Sequence, residues 1–179
     1  TCGLRIGEAV ALQVGDLDAP SQQVHIRRMV RRGYISSPKS GKGRVVDLPS
    51  STVAVLENVR QTRQVEAAYH GTEARWLFPG RTLDLPITPE AVQQAFAKAL
   101  KVAGIRKLRP HDLRHTYATL AVKAGVPLLT VSRQLGHASI AITADVYAHA
   151  VPGSNRAAAE ALEAVLTRNQ TLPPRNQPS

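Results

Sequence analysis

Apolar residues recur at helical spacing over most of this chain and at strand spacing over one early stretch. Leu4, Ala9 and Leu12 share one side of a helix predicted over residues 4–13, with Arg5 and Glu8 three apart on another side. Gly15-Asp16 and Pro20-Ser21 interrupt that pattern. From Gln23 to Val30 the period falls to two, with Val24, Ile26 and Arg28 pointing one way and His25, Arg27 and Met29 the other. Arg32-Gly33 turns the chain. Tyr34 to Ser36 and Arg44 to Leu48 read as two more short strands, the second following the basic, Gly-rich tip Ser40-Gly41-Lys42-Gly43. The prediction is a small three-stranded antiparallel meander.

Beyond Ser50 the helical period takes over. One helix runs from Ser50 to about Ala68 and carries Val53, Leu56 and Val59. Thr88 is a natural N-cap, Pro89 suits the first turn, and Gly104 is a stop. Between them Val92, Ala95, Phe96, Ala99, Leu100 and Ala103 form an amphipathic stripe. Pro110 opens the next helix and Gly125 closes it. Pro127 starts a shorter one, with Leu128, Val131 and Leu135, that ends at Gly136. A further helix holds Tyr147, and an Ala-rich helix spans Asn155 to Leu166. The fold class predicted is α+β, mostly α-helical with a small three-stranded antiparallel sheet. Residues 1–167 read as one domain and 168–179, rich in Pro, Asn and Gln, as a mobile tail. The chain opens at Thr1 with a helical pattern already under way, so we expect a piece of a longer protein.

Charge narrows the class of partner. Lys and Arg number 23 against 13 Asp and Glu, a formal charge of +10 in 179 residues. Such an excess favours a polyanion through phosphate attraction and counterion release. Aromatic residues are only 4% of the chain, which argues against a stacking platform for single strands. The single cysteine, Cys2, allows no intrachain disulfide, so a reducing, cytoplasmic setting is expected. No apolar run reaches the roughly 20 residues of a membrane span, so no membrane is expected.

Four distant segments supply candidate chemistry. On the helix from Pro110, His111, Arg114 and His115 lie opposite Leu113, Tyr117 and Leu120, near an end that favours anions. Arg5 is a bidentate phosphate donor that Glu8 can orient, or one half of a surface ion pair. Lys39 lies near a tip that also bears Lys42 and Arg44; such a tip is either merely solvated or, on a nucleic-acid enzyme, reaches a groove and protonates a leaving oxygen, with Lys42 and Arg44 as candidate DNA contacts. His137 follows the Gly136 stop, in a loop where it can donate to a phosphate. Tyr147 lies ten residues further on, and a phenol becomes a nucleophile when a base or cationic surroundings activate it. His111 and His115 also share the i, i+4 spacing of a zinc helix, but Asp112 stands where the metalloprotease motif has Glu, and no third ligand falls at a familiar spacing.

Taken together, these segments resemble the catalytic domain of the tyrosine recombinases, the phage integrase family. The resemblance runs from Thr1 to about Leu166. It rests on Gly3-Leu4-Arg5-Ile6-Gly7-Glu8, on Lys39 before a strand ending Val46-Asp47-Leu48-Pro49, and on Leu77-Phe78-Pro79. It rests equally on His111-Asp112-Leu113-Arg114-His115-Thr116 and on Leu135-Gly136-His137 with Thr143 and Tyr147-Ala148-His149. It implies that Tyr147 attacks the scissile phosphate to give a 3′-phosphotyrosyl link. Arg5, Arg114 and His137 would hold the non-bridging oxygens, Lys39 would be the general acid, and His111 the proton acceptor near the phenol. Glu8 and His115 would support the site. It further implies double-stranded DNA as partner, a tetramer on DNA in the full-length protein, and no cofactor. The family's DNA-clamping domain has no counterpart in this stretch. Two rival readings stay open: a non-catalytic DNA-binding module of the same fold, and a zinc hydrolase built on His111 and His115.

Overall fold

The computed structural model describes residues 2–38, 43–147 and 155–169. Its elements, in order, are α1 (Ile6–Val10), a 3-10 turn (Val14–Asp16), β1 (Leu17–Asp18), β2 (Gln23–Ile26), β3 (Met29–Arg31), β4 (Tyr34–Ser36) and β5 (Arg44–Asp47). Six helices follow: α2 (Ser50–Tyr69), α3 (Pro89–Val102), α4 (Pro110–Lys123), α5 (Leu128–Leu135), α6 (Ile140–Tyr147) and α7 (Asn155–Asn169). The α+β class, mostly helical with a small antiparallel sheet, is as predicted.

The strands are partitioned differently from the predicted meander. β5 pairs with β2, Val24 opposite Val46 and Ile26 opposite Arg44, and β1 pairs on the other side of β2. β3 and β4 form a separate hairpin. The reason lies at Arg27 and Arg28. Successive residues of a flat strand point to opposite faces, yet both guanidinium groups reach the carboxylate of Asp16, at 3.3 and 2.5 Å. The strand predicted over 23–30 therefore breaks there. The hairpin beyond it turns at Arg32-Gly33, with φ of 51° and 79°, the positive pair of a two-residue hairpin turn.

The first helix is also shorter than predicted. Arg5 is extended, at φ −70° and ψ 144°, and caps α1 rather than lying within it. After Val10 the backbone finds other partners: Leu77 N donates to Leu12 O and Val14 N to Arg75 O. α1 rests directly on β3, because a Cβ at Gly7 would come 2.4 Å from the Val30 carbonyl.

Three apolar clusters hold these elements. Leu12, Leu17, Val24, Ile26, Val46, Leu48 and Leu77 fill the space between the sheet and α2, which contributes Val53, Leu56 and Val59. Val10, Ala11 and Val30 join α1 and β3, with Val92 of α3 against them. Ala118, Val122, Val131, Leu135 and Tyr147 join α4, α5 and α6.

α4 buries the face that sequence spacing assigned to a polar ligand. Arg114, Ala118 and Val122 point inward, while Leu113 and Leu120 are 48% and 60% exposed. Small Ala118 lets α5 and α6 approach, and Arg114 enters the interior because carbonyl oxygens receive its protons. On α3 the inward line is Val92, Phe96 and Leu100, narrower than the predicted stripe. In α7 residues 159–167 are all exposed, Leu162, Val165 and Leu166 among them.

Candidate active site

The site is organised around the C-terminal end of α5. A helix end leaves carbonyls without intrahelical partners and carries partial negative charge. Here side chains from three remote segments take them. Arg44 Nε donates to Gln134 O (3.2 Å), Arg114 Nη2 to Leu135 O (2.7 Å), and Arg5 Nη2 to Gly136 O (3.2 Å). Arg114 Nη1 also donates to Gly3 O (2.5 Å), which ties α4 to the segment before α1. Gly136 is left-handed at φ 67°, and a Cβ on it would stand 2.7–2.8 Å from the Arg44 guanidinium. Glycine is required there twice over, by backbone conformation and by space.

Glu8 binds the cluster together. Its carboxylate has no solvent exposure. It accepts from the Arg5 backbone N (2.9 Å), from Arg5 Nη1 (3.1 Å), and from Arg44 Nη1 and Nη2 (2.9 and 2.8 Å). Burial pushes its pKa up, but the Arg44 and Arg5 contacts outweigh burial and hold it below the usual carboxylate value. Burial, then the neighbouring charge of Arg5, brings Arg114 down to about 10, still fully cationic at neutral pH.

Two histidines and the tyrosine complete the group. His137 Nδ1 lies 2.8 Å from the hydroxyl of Thr143, which is fully buried midway along α6. Burial, followed by the charges of Arg114 and Arg5, lowers His137 to about 4, so the ring is neutral at pH 7. When Nδ1 accepts from Thr143, the ring proton sits on Nε2, free to face a ligand. Tyr147 is 3% exposed, and its hydroxyl lies 2.7 Å from His115 Nδ1. Burial raises the phenol pKa and Arg114 partly offsets this. His111 stands edge-on to His115, ring centroids 4.6 Å apart at 89°. Burial, then His115, Arg114 and Arg109, lowers its pKa.

The structure thus brings together Arg5, Glu8, His111, Arg114, His115, His137 and Tyr147. Lys39 and Lys42 lie outside the described residues. Arg44, read as a DNA contact on an exposed tip, has a side chain only 13% exposed and is turned inward onto Glu8. The ring touching the phenol is His115, with His111 one helical turn behind it. Asp112, which looked anomalous as a metalloprotease base, caps its own helix by accepting from Arg109 N (2.8 Å). Sequence reasoning missed the inward role of Arg44, whose only cue was its register on a strand opposite Ile26. Among the described residues no three His, Cys, Asp or Glu side chains converge as a metal site would require. Beside the cluster opens a cleft of about 320 Å³, lined by Arg5, Arg31, Arg32, Glu90, Pro110 and His111.

A model of the phage integrase family matches residues 1–153. The chain belongs to the phage integrase family. Similar curated members include a tyrosine recombinase XerC-like protein of Caldanaerobacter subterraneus subsp. tengcongensis. It is 32% identical, over 89% of this chain and 46% of that protein. A putative prophage phiRv2 integrase of Mycobacterium tuberculosis is 33% identical, over 94% of this chain and 45% of that protein. This integrase-family chain therefore spans about half the length of those relatives. Among solved structures, the Tn1549 transposon integrase in complex with transposon right end DNA aligns at TM-score 0.74 and 25% identity, over 90% of this chain and 55% of that one. The XerA recombinase aligns at 0.65 and 25%, over 98% of this chain and 55% of that one. Among the described residues no helix is long and apolar enough to cross a membrane.

Proposed function

We propose that residues 1–167 form the catalytic domain of a tyrosine-type site-specific recombinase, which cuts and rejoins double-stranded DNA through a 3′-phosphotyrosyl intermediate. The observation that carries this reading is the position of Tyr147: a buried phenol hydrogen-bonded to a histidine, on the element that packs against α4 and α5 where Arg114 and His137 are held. In the step proposed, the phenol oxygen bonds to phosphorus and the bond to the 5′-oxygen breaks. Arg5, Arg114 and His137 Nε2 donate to the non-bridging oxygens as charge builds, a preorganised stabilisation that needs no movement of the donors. The phenolic proton passes to a histidine of α4, and Lys39 protonates the leaving oxygen. The phosphotyrosyl bond keeps the energy of the phosphodiester, so a second 5′-hydroxyl reverses the step without ATP or another cofactor. The Tn1549 integrase of similar fold was solved with its DNA, which supports DNA as partner here. The exposed apolar stripe of α7 supports assembly, read here as a tetramer on DNA.

The test uses the full-length protein and a nicked duplex that traps covalent product. Wild type should accumulate adduct, in excess EDTA as well, and Tyr147→Phe should bind DNA and form none. Adduct from Tyr147→Phe would sink the nucleophile assignment. Binding without adduct by wild type would favour the non-catalytic module, and loss in EDTA with rescue by one metal would favour the zinc hydrolase.

A further inference from the structure

We propose that His115 is the catalytic residue that accepts the phenolic proton of Tyr147, and that His111 is a positioning residue behind it. This rests on Tyr147 being the nucleophile. The hydroxyl of Tyr147 and Nδ1 of His115 are already in contact at 2.7 Å, the distance a proton crosses in a hydrogen bond. The phenol is 3% exposed, so bulk water has little access to it. Its ring is set among Ala118, Val122, Val131 and Leu135, which fixes the direction of the hydroxyl. Burial disfavours the phenolate, so ionisation before attack is unfavourable and the proton must leave as the bond to phosphorus forms.

The surroundings of His115 fit that role. Titratable groups interacting with it are His111 from its own helix, His137 from the loop after α5, and Tyr147 from α6, while Arg114 acts on His111 and Tyr147 beside it. No carboxylate hydrogen-bonds to it among the described residues. Asp112, nearest in sequence, is taken up by Arg109. His111 meets His115 edge-on and fixes the ring plane. Its own lowered pKa keeps it neutral beside a ring that becomes cationic during the step.

The balance is simple. The O–H bond of Tyr147 breaks and its proton joins Nδ1 of His115, while the oxygen lone pair forms the bond to phosphorus. The P–O5′ pair leaves with the 5′-oxygen, which takes its proton from the acid assigned to Lys39. On rejoining, His115 returns the proton to the phenol.

The experiment is single-turnover cleavage of a nicked duplex by the full-length recombinase across pH, with His115→Asn, His115→Gln and His111→Asn. Asn keeps an acceptor near the Nδ1 position without being a base. Both His115 variants should bind DNA as wild type does and cleave about 10²–10⁴-fold more slowly, the range for loss of a general base. Their rates should climb steadily with pH where wild type levels off. A substrate with sulfur at the 5′ bridging position needs no acid, so it should rescue Lys39→Ala but not His115→Asn. His111→Asn should lose less and keep the wild-type pH profile. Wild-type rates in both His115 variants, rescue of either by the sulfur substrate, a larger loss with altered profile in His111→Asn, or parallel loss of DNA binding would each overturn the assignment. Adduct formation by Tyr147→Phe would instead remove the nucleophile reading beneath it.

Discussion

Glu8 and His137 give the site two acid-sensitive residues of opposite kind. The Glu8 carboxylate is held below the ordinary glutamate value of 4.5. Its contribution to stability is therefore fully present above that pH and is lost as pH falls through the lower folded value. His137 is depressed from 6.5 to about 4. The folded state prefers its neutral form, so stability is present above about 6.5 and is lost between there and about 4. Urea unfolding followed against pH should then soften in two stages, and His137→Gln should remove the earlier one. Glu8→Gln leaves Arg5 and Arg44 without their counter-charge. It should cost about 3–5 kcal/mol, the range for breaking a buried pair, read from the shift in urea midpoint at pH 7. Arg44 is held by Glu8 and the Gln134 carbonyl beside Gly136. Arg44→Ala should slow cleavage at saturating DNA by about 10²-fold, as a misplacement of about 1 Å does. Arg44→Lys should not restore it, since a point charge cannot replace the fork and Nε contacts.

At the scale of elements, the end of α5 decides where the arginines stand. Gly136→Ala forces a side chain into a left-handed position and against Arg44. Thermal melting should fall by several degrees, and cleavage should fall more than DNA binding does. The helices themselves were legible in the sequence because their ends carry chemistry: Thr88 Oγ1 accepts from Ala91 N as a cap should, and Gly104, Gly125 and Gly136 all stand at positive φ where stops were read. What spacing alone hid were the tertiary choices. The inward face of α4 depends on Arg114 finding the Gly3 and Leu135 carbonyls, more than a hundred residues apart in sequence. The break between β2 and β3 depends on Asp16 drawing both Arg27 and Arg28. The contact of Tyr147 with His115 rather than His111 depends on how α6 lies against α4. Side-chain type revealed the kit, but only packing shows which member touches which.

At the scale of the whole molecule, the proposed DNA binding and assembly turn on charge and the last helix. With a formal charge of +10, binding should weaken steeply with salt, its logarithm falling linearly with that of salt concentration. A titration from 50 to 200 mM salt checks this, and a flat response would mean that phosphate contacts are few. The apolar side chains Leu162, Val165 and Leu166 are more than half exposed. Docking on a neighbouring copy is the expected use of this stripe. Deleting residues 152–179 from the full-length protein should spare binding to a single site but lower the yield of higher complexes on native gels. The guanidinium groups gathered at Gln134, Leu135 and Gly136 have one more consequence. Rotation about their Cζ–Nε bonds requires breaking several hydrogen bonds together. In nitrogen-15 spectra, Arg5, Arg44 and Arg114 should show separate, slowly exchanging Nη resonances, while exposed Arg81 averages to one.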